Sequence, residues 1–199
     1  MIENFLRRPQ GVSEVAAEIF RGLAVLSAVA AAVFFEPTDA GIVAFALPGF
    51  VAPRFLGMKP AVDMIFVGAL SVAAWSNVFD LYTSIGWWDM PVHLAVNGLL
   101  TGGIYLLLAR ARIVPDPRSP GFRRLACVVL ATTIGLAISA LWEMIEWLGS
   151  KFISDAIYTA YDDTIGDMAL GGLGSLLAGF VLAFVPVLRS GPPAHQRKT

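Results

Sequence analysis

The sequence predicts an all-α, polytopic membrane protein: a bundle of six transmembrane helices with both termini in the cytoplasm. Three observations carry this reading. The chain is 57% hydrophobic and only 15% charged, with a mean hydropathy of +0.71, whereas a soluble domain carries about 25% charged residues. Its apolar residues gather into six runs, each close to the roughly 20 residues that cross a hydrocarbon core. The basic residues fall almost entirely in alternate loops.

The first span, about 15–35, is rich in Ala and Val; Glu18 and Arg21 lie three apart in its first turns and can pair or reach the headgroups. A turn at Glu36-Pro37-Thr38-Asp39 leads to a second span, about 40–56, in which Pro48 and Pro53 predict a kink. Arg54, Lys59 and Pro60 mark its exit. The third span covers about 61–81, with Asp63 expected to pair with Lys59 one turn back. Trp87 and Trp88 close a short connection and suit the membrane interface. The fourth span, about 89–109, is followed by a solvated basic loop from Arg110 to Gly121, then by a fifth span, about 122–148, and a sixth, about 164–188. Lys151, Asp155 and Asp162 read as solvated loop charges. Residues 1–188 form a single domain on this reading, and 189–199 a disordered cytoplasmic tail holding Pro192, Pro193 and a solvated His195.

Arg7, Arg8, Arg21, Arg54, Lys59, Arg110, Arg112, Arg118, Arg123, Arg124, Arg189, Arg197 and Lys198 fall on one side of this topology and only Lys151 on the other, 13 of the 14 basic residues against one. The positive-inside rule therefore places both termini in the cytoplasm. No short apolar segment ahead of a small-residue cleavage site is present, so no removable signal peptide is expected. The net charge of −1 excludes bulk attraction to nucleic acid. The lone Cys127 reads as a buried small hydrophobe. Gly98-x-x-x-Gly102 and Gly171, Gly172 and Gly174 predict close helix packing, within the chain or against a second copy or another membrane protein.

The informative residues are polar. Asp89 and His93 open the fourth span, Glu143 and Glu146 close the fifth, and Asp163 and Asp167 open the sixth. Spacings of three and four put each pair on one helix face, and the topology puts all three pairs at the non-cytoplasmic end. Asn97 extends the first stripe by a turn, and Asn77 and Asp80 end the third span at the same level. Taken singly, Asp89, Asp163 or Glu146 suits a helix end at headgroup depth. Six such groups at one depth point instead to a shared site, because charges inside a membrane segment are costly unless paired or bound. One imidazole among several carboxylates is a ligand set for a divalent metal such as Zn²⁺, Mn²⁺ or Fe²⁺. Facing helices of a bundle build carboxylate metal sites from similarly spaced pairs. Asp89, His93, Glu143, Glu146, Asp163 and Asp167 are the candidate ligands, and Glu143 and His93 the candidate catalytic groups.

At these residues the chain resembles a family. Trp88-Asp89-Met90-Pro91-Val92-His93, Glu143-Met144-Ile145-Glu146-Trp147 and Asp163-Thr164-Ile165-Gly166-Asp167 resemble the D-x-x-x-H, E-x-x-E-W and D-T-x-x-D signatures of the YjdF-like bacterial inner-membrane proteins. The likeness runs from about Asn77 to Ala183. A weaker one is to VanZ-like proteins, whose last motif usually carries Asn where this chain has Asp167. The resemblance implies a multi-pass protein of the bacterial cytoplasmic membrane and assigns no activity.

Three functional readings share these residues. In the first, the chain binds a metal and acts as a hydrolase on a lipid or envelope substrate; water is the nucleophile, since no Ser-His or Cys-His arrangement is evident. In the second, it is a proton- or cation-coupled carrier. In the third, it is an accessory subunit whose polar cluster fixes helix register.

Overall fold

The computed structural model describes residues 1–153 and 159–189; Asp155 and the tail from residue 190, with His195, lie outside them. Among the described residues there are nine helices: α1 (Ile2–Leu6), α2 (Val12–Phe34), α3 (Pro37–Phe45), α4 (Leu47–Leu56), α5 (Pro60–Val78), α6 (Leu81–Ser84), α7 (Asp89–Arg110), α8 (Arg124–Phe152) and α9 (Tyr161–Phe184). Taking α3 and α4 together, six segments are long and apolar enough to cross a membrane. Large apolar side chains such as Leu26, Val33, Leu125 and Phe184 are exposed around their outer faces. Lipid satisfies such a surface and water does not.

The expected kink is a full break. Ala46 separates α3 from α4, one residue before Leu47-Pro48. Proline lacks the N–H that would continue the ladder, so the chain restarts there. Gly57 then ends α4 in the left-handed region, at φ 75°, and any Cβ at that position would meet the Asn4 side chain. Asp80, at φ 54°, turns the chain from α5 into α6.

Helix α9 packs along both α7 and α8, and these three form the centre of the bundle. Glycines allow their close approach: a Cβ on Gly174 would strike the backbone carbonyl of Leu94, and one on Gly98 the backbone of Gly174. Gly102, its partner in the sequence pattern, faces open space. Helices α4 and α5 pack against α7, and α2 packs against α4 and α5. The core between them contains Phe50, Phe66, Val67, Tyr105, Leu106 and Leu182, with Cys127 buried as expected.

The two ends of the bundle differ in charge. At one end α1, residues 187–189 and the turn after α4 meet. The Asn4 amide donates to Phe55 O at 3.1 Å, the Arg189 N–H to Gly57 O at 2.9 Å, and Arg110, at the end of α7, to Leu56 O at 3.3 Å. Here Arg21 is buried, pairing with Glu18 at 2.6 Å as the spacing allows, donating to Phe50 O at 3.0 Å, and forming an ion pair with Asp63. This corrects the expected Lys59–Asp63 pair. Asp63 is fully buried, and a buried carboxylate needs a hydrogen-bonding cation, which Arg21 supplies from across the bundle. The acidic and histidine residues of α7, α8 and α9 lie at the opposite end, one length of α7 away, roughly 33 Å at 1.5 Å per residue.

Candidate metal centre

Three helices bring five of the six candidate ligands together. His93, in the second turn of α7, is 8% exposed and presents both ring nitrogens to carboxylates. Its Nε2 lies 3.2 Å from Asp89 Oδ1 and 4.0 Å from Asp167 Oδ2; its Nδ1 lies 3.9 Å from Glu143 Oε1. Asp89, His93 and Asp167 offer ligand atoms within 4.8 Å of one another, and so do His93, Glu143 and Glu146. Asp163, one turn before Asp167 and half-buried, is in neither group. Asp80 is exposed and Asn77 half-buried; both also stand outside the two groups.

Glu143 and Asp167 are buried, at 8% and 5% exposure. Among the described residues, Glu143 Oε1 has no hydrogen-bond partner. A buried carboxylate oxygen without a donor is costly, and a cation beside it removes that cost. The geometry suits one. Atoms bound to a zinc-sized ion at about 2.0–2.2 Å lie no more than roughly 4.4 Å apart, so the separations around His93 need only small side-chain rotations.

A ladder of polar side chains lies directly beneath the cluster. Along α7, His93, Asn97, Thr101 and Tyr105 recur every four residues and are all buried. The Asn97 amide reaches Gly171 O at 2.8 Å, Ser175 Oγ at 3.0 Å and Gly135 O at 3.1 Å. Thr101 and Ser175 share a hydrogen bond of 2.9 Å. Asn97 thus joins α7 to both α8 and α9 one turn below His93. A Cβ on Gly135 would overlap Ser175 and one on Gly171 would overlap Ser139, so these glycines make room for the ladder. The sequence reading reached Asn97 but missed Ser139, Thr101 and Ser175. Their signal was the four-residue period on α7, α8 and α9, which singles out one face of each helix.

The connection ahead of α7 is pinned to α5. Tyr82 of α6 donates its hydroxyl to Ala73 O at 3.0 Å, and Trp88 donates its indole N–H to the buried Ser76 Oγ at 2.8 Å. Burial, together with the charges of Asp89 and Glu146, holds the Tyr82 phenol above the usual tyrosine range.

The fold and the site together define a polytopic membrane protein with a buried Asp/His/Glu cluster at one end of a central three-helix bundle. The family described as "Predicted membrane protein (DUF2238)" matches residues 13–187. The chain belongs to this family, the YjdF-like membrane proteins. No curated protein and no solved structure matches it.

Proposed function

We propose that the chain is a metal-dependent hydrolase of the bacterial cytoplasmic membrane, with both termini inside and the Asp/His/Glu cluster facing outward, acting on a lipid or envelope substrate. The observation that carries the metal is the buried Glu143 Oε1, without a hydrogen bond and 3.9 Å from His93 Nδ1. His93 Nδ1, Glu143 and Glu146 form the ligand face for a Zn²⁺, Mn²⁺ or Fe²⁺ ion. Asp89 accepts the Nε2 proton and so fixes the tautomer that leaves Nδ1 free to bind. Asp167 and Asp163 add negative charge on the other side of the ring. The orientation rests on the uneven distribution of basic residues.

A divalent ion here supplies Lewis acidity and makes a coordinated water easier to deprotonate. The protein's own groups do the rest. One oxygen of Glu143 belongs to the ligand face, and the other accepts a proton from the attacking water. The water oxygen bonds to the carbonyl carbon or phosphorus, the ester bond to the leaving oxygen breaks, and Glu143 returns the proton to that oxygen.

The carrier reading draws support from the polar ladder, which continues the cluster inward. Asn97 argues against proton conduction along it, because a carboxamide gives its protons to fixed acceptors and passes none on. The ladder is better suited to holding the three helices in register.

The test is hydrolysis in proteoliposomes of mixed phospholipids, followed by release of fatty acid, phosphate or headgroup. Turnover that a chelator abolishes, a divalent metal restores and Glu143→Gln eliminates supports the reading. Turnover indifferent to chelation and to Glu143→Gln contradicts it.

A further inference from the structure

A groove of about 440 Å³ runs between α8 and α9 beside the cluster. Ala140, Met144, Trp147 and Met168 line it, together with Glu143 and Thr164. The two helices run in opposite directions, so Ala140 and Met168 mark its deeper end and Trp147 its end nearer the surface. Glu143 and Thr164 lie between these ends. Met144 is 59% and Trp147 52% exposed on the outer face of the bundle, so the groove opens sideways, toward lipid. Glu143 therefore belongs to two surfaces at once: one carboxylate oxygen faces His93, and the side chain walls the groove.

The second groove described, about 230 Å³ beside Leu99, Gly102, Ala178 and Val181, is also open to the apolar faces of the helices but has no charged residue in its lining. A hydrocarbon chain fits either. Of the two, only the groove at Glu143 has a carboxylate in its lining. That is the complement of an amphiphile: a chain along the methionines and a head that offers a hydroxyl or amine donor to Glu143.

We propose that this groove admits the chain of a bilayer amphiphile laterally, so that a long-chain lipid ester or phosphoester reaches the cluster through Glu143. The chemistry at Glu143 rests on the hydrolase reading above; seating of the chain does not. Chain and bilayer are equally apolar, so the groove adds no hydrophobic affinity of its own. It determines where the head comes to rest, and that is what a test must read.

The experiment is photolabelling of the full chain in nanodiscs by phosphatidylglycerol carrying a diazirine on the acyl chain near the ester. Leu141, 58% exposed on the same helix, is the internal control for Met144. We expect Met144 to be labelled several times more than Leu141. Ala140→Trp and Met168→Phe, which fill the groove, should erase that preference in protein that still elutes as a single species. Equal labelling of Met144 and Leu141, or a preference that both folded variants leave intact, overturns the proposal. His93→Ala separates the two claims. If the preference persists there while metal is lost, the groove works independently of the ion. If the preference is present but wild type holds no metal, the metal reading alone has failed.

Discussion

Asp89 Oδ1 lies 3.2 Å from His93 Nε2, across one turn of α7. The same ring turns its other nitrogen toward Glu143 of α8, 3.9 Å away. An imidazole held in this way by a carboxylate is already oriented before it binds anything, and Asp89→Asn should expose that role. An amide in place of the carboxylate weakens the hold on the Nε2 proton and lowers the basicity of Nδ1. Metal affinity should fall about 10–100-fold while helix content and thermal stability stay near wild type. Competition with a fluorescent chelator measures it.

Asn97 ties α7 to Gly135 O on α8 and to Gly171 O and Ser175 on α9. Asn97→Ala leaves these buried acceptors with one fewer donor, at a cost of about 1–3 kcal/mol. Unfolding in mixed detergent micelles should register the loss. Metal affinity should fall as well, because the three helices that carry the candidate ligands lose a shared anchor. Asn97→Asp, similar in shape, should not restore stability, since a carboxylate cannot donate to the carbonyls.

Gly174 and Gly102 make a matched pair of tests. Gly174→Ala drives a methyl into the Leu94 carbonyl, and backbone cannot rotate away as a side chain can. A loss of about 1–3 kcal/mol is expected, read as a lower midpoint in the same micelle titration. Gly102→Ala meets no neighbouring atom within 4 Å and should be neutral or slightly stabilising.

Asp63 and Arg21 form a buried ion pair at the other end of the bundle. Asp63→Ala leaves the buried Arg21 guanidinium with Glu18 and Phe50 O but without its buried carboxylate, and breaking a buried pair costs up to about 3–5 kcal/mol. The double variant Arg21→Met with Asp63→Leu removes both charges and should recover most of that loss. A double-variant loss equal to the sum of the losses of Arg21→Met and Asp63→Leu made singly would show that the pair has no energetic coupling. Metal affinity should not change in the double variant, since the pair is far from His93.

These predictions divide along what a sequence can reveal. The six spans were legible because lipid imposes length and apolarity on each segment independently. The grouping of Asp89, His93, Glu143, Glu146 and Asp167 was legible because helix periodicity fixes a face and alternating topology fixes an end. Partners chosen across the bundle were not legible. Lys59 is adjacent to Asp63 along the chain, yet Arg21, 42 residues away, holds it; local spacing carries no information about which helices become neighbours. The ladder of Asn97, Thr101 and Ser175 was half-visible for the same reason: its period could be read, but its bonds run between helices. Asp163 shares its face with Asp167, yet it sits one turn further out, beyond both ligand groups.

The most direct measurement is elemental analysis of detergent-purified protein prepared without chelators, wild type beside His93→Ala and Glu143→Gln. The account predicts about one equivalent of a single transition metal in wild type, as for one ligand face, and little or none in either folded variant. Wild-type protein free of metal, and unable to take up Zn²⁺, Mn²⁺ or Fe²⁺ on titration, would contradict it and leave the cluster as an ion network that holds α7, α8 and α9 together.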